Sequence, residues 1–360
     1  MAASRRHARR SNPEQRIVTA CRTRFVSFAT ALVAALLAAA APTLATVPGI
    51  DVSHFQGTIN WTSVKNAGIE FAFAKATEGV DFIDVNFVQY MNGARAAGVL
   101  IGPYHFARPD SSVSNPLDAA NEANDFVDAI QPYYQQYLGK IVAPVLDVER
   151  LPYADTAANR AANKAFLSNW VRNFNTVVVD RLGIMPIIYV NSYYATTFLE
   201  TNINQYPLWL ANYNYTPPTT PPPAQWGVWS HWDFWQYTSS GSVSGISGNV
   251  DRDLFNGTML QLMEFVPGFL AGDYNRDGVV DGADYTKWRD TMGQSVAKGT
   301  GADGDFDGQV TAADYNLWKS NFGQTGAAAG ALSTAAVPEP ATMIFLIAAG
   351  LTALTRRTRR

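Results

Sequence analysis

The sequence predicts an α/β protein: a parallel sheet closed into a barrel, followed by a small helical domain with two cation-binding loops. Three observations lead there. Strand-like and helix-like stretches alternate from Val47 to about Asn256. Polar residues recur where the strand-like runs end. Residues 272–324 repeat an acidic motif with a period of 30. With 360 residues, 47% of them hydrophobic, the chain can bury a large core.

Taken in order, "VPGIDVS" reads as a strand, and "NWTSVKNAG" as a short helix capped by Asn60 and stopped by Gly68. The strand "IEFAFAKAT", the amphipathic helix "NFVQYMNGARAAG" and the strand "VLIGPYHF" follow. A helix is expected from about Asn115 to Ile130, then the strand "IVAPVLDVE". A long helical stretch from about Thr156 to Leu182 precedes "MPIIYVN". The last third is strand-rich, with "PLWLANY", "VWSHWDFWQYT" and "VDRDLF". The proline-rich stretch 216–225 is a surface loop, because strand-like sequence resumes after it.

Both ends differ from this body. A basic segment followed by "FVSFATALVAALLAAAAPTLA" describes a secretory signal peptide, with cleavage expected after Ala45. Seven of the 27 basic residues lie before Ala45 and four at the extreme C-terminus, against one of the 30 acids before Ala45. Residues 46–355 therefore carry about −13. Such an acidic body is not a nucleic-acid binder. The single cysteine, Cys21, falls in the signal segment, so the exported body has neither disulfide nor thiol chemistry. The histidines show no metal-like spacing, and no cofactor is expected for catalysis.

"PVLDVER" ends an apolar strand with two acids, Asp147 and Glu149. Residues i and i+2 of a strand project to one side, about 6.6 Å apart, so these carboxylates are expected to act together. Asp51, Lys75, Glu78, His105, Asn191, Asn212, Tyr213, Gln236, Tyr237 and Asp251 also stand near strand ends. In a barrel these ends form one rim, where active sites lie. An isolated Asp-x-Glu at a strand end is ordinarily a solvated loop start; the additional strand-end motifs distinguish this one.

The repeat, "DYNRDGVVDGAD" and "DGDFDGQVTAAD", puts oxygen-bearing residues at positions 1, 3, 5, 9 and 12 of each loop and glycine at 6. This is EF-hand spacing, which wraps oxygen ligands around calcium. The expected ligands are Asp273, Asn275, Asp277, the Val279 carbonyl, Asp281 (through water) and Asp284. The second copy offers Asp303, Asp305, Asp307, the Gln309 carbonyl, Thr311 and Asp314.

"GIDVSHFQGTINW", "FAFAKATEG", "GPYHFARP", "PVLDVE", "PLWLANY" and "WQYTSSGSVSGISGNVDRDLF" together resemble the glycoside hydrolase family 25 lysozymes, over roughly residues 47–257. The resemblance implies an irregular, TIM-like β/α barrel. It also implies an N-acetylmuramidase that cuts the β-1,4 bond between N-acetylmuramic acid and N-acetylglucosamine of peptidoglycan. It makes Glu149 the general acid/base, and Asp147 an ionised group supporting the substrate's own acetamido nucleophile, with Asp51 beside them. Asp251, Lys75, Tyr104, Tyr189, Trp209 and Tyr237 are expected to bind substrate. A non-catalytic glycan-binding adhesin and a hydrolase of another N-acetylated glycan are the alternatives.

Aspartate at position 12, with a helix only after each loop, resembles a dockerin, which implies structural calcium and a cohesin-like partner. "VPEPATMIFLIAAGLTALTRRTRR" resembles a PEP-CTERM sorting signal, which implies an exported, envelope-associated or extracellular protein touching membrane only through this tail. The expected division is signal peptide 1–45, barrel 46–257, linker 258–271, dockerin-like domain 272–324, linker 325–336 and sorting tail 337–360.

Overall fold

The computed structural model describes residues 45–111, 117–215, 217 and 225–326. The expected signal peptide, the sorting tail and most of the proline-rich loop lie outside them. Eight strands close into a barrel: β1 (Thr46–Val52), β2 (Phe71–Glu78), β4 (Leu100–Phe106), β5 (Val145–Asp147), β6 (Ile187–Asn191), β7 (Leu208–Ala211), β8 (Phe234–Gly241) and β9 (Val250–Asn256). The two-residue strand β3 (Phe82–Ile83) only extends β2 as a hairpin. Neighbours run parallel around the ring except β9, which is antiparallel to both β8 and β1. That reversed strand makes the barrel irregular.

Helices cover the outside: α1 (Trp61–Asn66), α2 (Phe87–Ala96), α3 (Asp118–Gln136), α4 (Arg160–Leu182) and α5 (Ser192–Thr197). Asn60 caps α1 by accepting from the Ser63 N–H, as its sequence position predicts. Helices α3 and α4 pack on each other. Helix α3 continues past Pro132 to Gln136, further than expected.

Inside the barrel, Phe73 packs against Phe71, Phe234 and Trp209 at ring distances of 5.7, 5.3 and 4.5 Å. Burying each such side chain contributes about 1.5–3 kcal/mol. Gly49 is obligatory here, since a Cβ would lie 2.2 Å from the Phe71 ring. This aromatic floor lies below the acids and fills the lower barrel.

Two expectations are corrected. Strand β5 stops at Asp147, so Glu149 is not a strand residue and its position does not follow from strand alternation. The expected linker 258–271 is no spacer. Its first part forms α6 (Met259–Leu262) and a 3₁₀ turn, with Leu262, Met263 and Val266 buried in the barrel core. Phe265 packs on Phe234 and Phe255, closing the barrel floor. Apolar residues at 262, 263, 265 and 266 have an exposed core edge to cover; a linker has none.

After it, α7 (Gly282–Thr291) and α8 (Ala312–Asn321) each follow one acidic loop. Trp288 donates to the Thr311 carbonyl and Trp318 to the Asp281 carbonyl, so each repeat closes the other.

Candidate active site

Backbone pairing brings the acids together. Asp51 on β1 stands directly opposite Asp251 on β9, and Asp147 ends β5 on the far side of the barrel mouth. Asp51 is buried, and its Oδ2 accepts from Gln236 Nε2 at 2.6 Å. The orientation of that amide is fixed, because its Oε1 accepts from Tyr189 at 2.8 Å and from Tyr213 at 2.6 Å. Asp147 is buried too, and its Oδ1 meets no hydrogen-bond donor among the described residues. Glu149 opens into a cavity of about 380 Å³ lined by Tyr189, Asn191, Tyr193, Asn212 and Tyr213. That volume lies within the range of about 300–1,000 Å³ typical of ligand sites. Asn212 Nδ2 is buried there without an acceptor among the described residues.

Burial dominates the electrostatics. It pushes Asp51 well above the usual carboxylate range, and the Asp253 and Asp251 charges add to the effect. Asp147 is raised by burial and then by Glu149, against the opposing Lys75 charge. Burial raises Glu149 as well, opposed by the adjacent Tyr189 hydroxyl and by the Arg150 and Lys75 charges. Asp251 is pushed up to about 6, chiefly by burial with Glu149 adding. Tyr104 and Tyr189 are raised in turn, so both remain neutral hydroxyls. Burial thus raises both carboxyls of the Asp147–Glu149 pair in the free protein. Asp147 is the more deeply buried of the two.

Lys75 lies by the cluster, paired with Glu78 and set 4.8 Å from the Phe106 ring centre. A bulge between Lys75 and Thr77 turns Thr77 outward while Lys75 stays inside. Outside, Thr77 meets His105 Nδ1 at 2.7 Å, and His105 Nε2 meets Glu122 at 2.8 Å. His105 is thus a buried link to the helix layer and no member of the rim. Strand alternation explains this, because its neighbour Tyr104 points inward.

Trp209 is also corrected. Only 2% exposed, it packs against Phe73 and Tyr189, and its Nε1 donates to Asp253 Oδ1 at 3.0 Å. It forms part of the floor and offers no open face to a sugar. Tyr104 and Tyr189 are buried and present hydroxyls, whereas Tyr237 is half-buried against Trp235 and near Arg252. Asp253 and Tyr193 were not singled out in the sequence. The i, i+2 spacing from Asp251 was the available signal for Asp253.

In the repeat, the first and last acids hold each loop in shape. Asp303 accepts from the Asp307 and Gly308 N–H groups, and Asp314 from Gly304, Asp305 and Thr311. In the first loop Asp273 accepts from Asp277 and Gly278, and Asp284 from Asn275 and Asp281. Oxygens of Asp303, Asp305 and Asp307 lie within 4.8 Å of one another. This crowd of hard oxygen donors fits calcium. Asp281 and Thr311 cap α7 and α8 through their side chains.

The family profile of "Glycosyl hydrolases family 25" matches residues 50–246, more than half of the chain, and the PEP-CTERM protein-sorting motif matches residues 336–360. Lysozyme M1 of Streptomyces globisporus is 34% identical over 220 residues, covering 60% of this chain and 70% of that protein. Two solved structures share the fold. A family 25 glycosyl hydrolase from Bacillus anthracis has 24% identity and a TM-score of 0.50, over 61% of this chain and 93% of that one. The Clostridium perfringens spore cortex lytic enzyme SleM has 23% identity and a TM-score of 0.51, over 62% of this chain and 71% of that one. A closed barrel with one reversed strand, an acid cluster at its mouth and the matched profile lead to one conclusion: the chain belongs to the glycosyl hydrolases of family 25.

Proposed function

We propose that this glycoside hydrolase degrades peptidoglycan by cutting the β-1,4 bond between N-acetylmuramic acid and N-acetylglucosamine. The observation that carries the reading is the convergence of Asp51, Asp147, Glu149 and Asp251 on one cleft, with a buried carboxylate oxygen of Asp147 left without a donor among the described residues. Glycoside cleavage requires a proton for the leaving oxygen and negative charge beside the developing cationic sugar.

In this reading Asp147 accepts the N–H of the substrate's acetamido group. That donor favours ionised Asp147, and the proton of the coupled pair then rests on Glu149. The acetamido oxygen attacks the anomeric carbon as the bond to the leaving oxygen breaks, and Glu149 gives that oxygen its proton. That attack closes a five-membered ring between the acetamido group and the anomeric carbon; water, deprotonated by Glu149, then bonds to the anomeric carbon as its bond to the acetamido oxygen breaks, which reopens the ring and restores the Glu149 proton. Asp51 and Asp251 supply further negative charge, Lys75 limits the repulsion among them, and Asn212 Nδ2 is a donor for a substrate carbonyl. Tyr104, Tyr189 and Tyr237 contribute polar and edge contacts.

The remaining modules fit an exported protein. The sorting motif supports export, and we place the mature chain at the cell envelope or outside the cell. The twin loops are read as a dockerin-like module that binds structural calcium through the Asp273–Asp284 and Asp303–Asp314 sets and presents a surface to a cohesin-like protein. Calcium supplies no catalytic chemistry in this account.

Mass spectrometry of products from purified peptidoglycan tests the central reading. New reducing ends on N-acetylmuramic acid are expected. Reducing ends on N-acetylglucosamine, or faster release from chitin, would replace it with another glycosidase assignment. The absence of release would favour a glycan-binding protein.

A further inference from the structure

Glu149 divides the barrel mouth into two unlike halves. The cavity lies on one side of it, against the ends of β6 and β7, and is lined mainly by tyrosine and asparagine. On the other side stands β4, whose last residue, Phe106, is the ladder neighbour of Asp147. Three cations surround the Phe106 ring: Lys75 Nζ lies 4.8 Å from its centre, Arg108 Cζ 5.1 Å and Arg150 Cζ 5.8 Å. Lys75 and Arg108 are both paired with Glu78. Arg150 is exposed and makes no ion pair or hydrogen bond among the described residues.

This placement opposes the proposed chemistry. Arg150 directly follows Glu149, and its charge holds down the carboxyl that has to carry a proton. Three cations around one ring also repel one another, and the carboxylate paired with them, Glu78, serves only two. An anion arriving with the substrate would answer the third.

The muramidase substrate brings such an anion. Muramic acid carries its acetamido group on C2. The neighbouring C3 carries a lactyl ether that ends in a carboxyl group or in a stem peptide with carboxyls of its own. With the acetamido N–H on Asp147, this substituent leaves the sugar one carbon further on. Phe106 adjoins Asp147 on the side away from the cavity, and Arg150 lies over it. A guanidinium offers a carboxylate two parallel N–H donors. We propose that Arg150 is a specificity-determining residue: it receives a carboxylate of the lactyl or stem-peptide substituent and so favours anionic peptidoglycan over neutral N-acetylated glycans. The inference rests on the muramidase reading.

Three substrates separate the sources of the carboxylate. They are peptidoglycan fragments with their stem peptides, the same glycan after an amidase has bared the lactyl carboxylates, and each material with its carboxyls converted to amides. For at least one anionic form, wild-type kcat/KM is expected about three- to tenfold above that of its amidated counterpart, and the advantage should shrink as salt rises. Arg150→Met should bring this ratio to about one, and Arg150→Lys should keep part of it. Taking the ratio cancels any change in the Glu149 proton. A preference confined to stem-bearing fragments assigns the stem carboxylate, and one present in the stripped glycan assigns the lactyl carboxylate. The proposal is overturned if the wild type shows no preference, or if Arg150→Met keeps the wild-type ratio. Calorimetric titration with the same fragments reads the preference without catalysis. A wild type that releases no sugar, yet binds anionic fragments more tightly than amidated ones in an Arg150-dependent way, refutes the muramidase reading and leaves the role of Arg150 standing. Equal binding without sugar release refutes both.

Discussion

Replacing Asp251 with asparagine should stabilise the protein at neutral pH and leave it unchanged in acid. Asp251 moves from an ordinary value of 3.8 to about 6 on folding, chiefly because it is half-buried, with Glu149 adding repulsion. At 1.36 kcal/mol per pH unit this corresponds to about 3 kcal/mol, and solvent screening at a partly exposed site reduces it to about 1–2 kcal/mol. The sign follows from proton counting. Below about pH 4 the carboxyl is protonated in both states and contributes nothing. Between about 4 and 6 the unfolded chain ionises while the folded chain keeps its proton, so stability falls as pH rises. Above about 6 the full cost is present. The Asp251→Asn variant carries no such cost, so its advantage should grow between pH 4 and 6 and then level off. Differential scanning calorimetry at pH 4, 5, 6 and 7.5 measures this, with Tm expected about 2–8 °C higher for the variant at pH 7.5. Equal differences at pH 4 and pH 7.5, or a less stable variant at pH 7.5, would refute the burial argument.

Three further outcomes follow from the same geometry. Gln236→Met removes the amide that reaches Asp51 and should lower kcat by about ten- to a hundredfold, whereas Tyr213→Phe leaves Tyr189 orienting the amide and should cost much less; steady-state kinetics on peptidoglycan compares them. Leu262→Ala should destabilise the barrel by about 2–5 kcal/mol, because this fully buried residue belongs to the core. A loss near zero by denaturant titration would restore the segment as a spacer. Chelation should lower the melting of residues 272–324 while largely sparing hydrolysis. Calorimetry without any calcium-dependent shift would remove the calcium assignment.

Much of this was legible in the chain. Alternating apolar strands and capped helices marked the barrel, and polar residues at strand ends marked its mouth. What escaped were features set by neighbours distant in sequence. Strand β5 ends at Asp147 because the chain leaves the ladder there, and no local propensity announces it. His105 sits at a strand end like its acidic counterparts, but alternation from Tyr104 and the Lys75–Thr77 bulge send it outward to Glu122. Trp209 lies in a motif shared with the family, yet its ring fills the floor and its N–H serves Asp253. The stretch 258–271 reads as a linker in the sequence, while the burial of Leu262, Met263 and Val266 within it depends on a barrel floor that exists only after folding.

The most direct measurement is the rate of reducing-sugar release from purified peptidoglycan by the wild type and by Glu149→Gln, with folding verified by circular dichroism. Loss of the proton donor should slow the variant by about 10²–10⁴-fold with its fold intact. A folded Glu149→Gln variant that releases sugar at the wild-type rate would contradict the role given to this carboxyl group, and with it the site built around the barrel mouth.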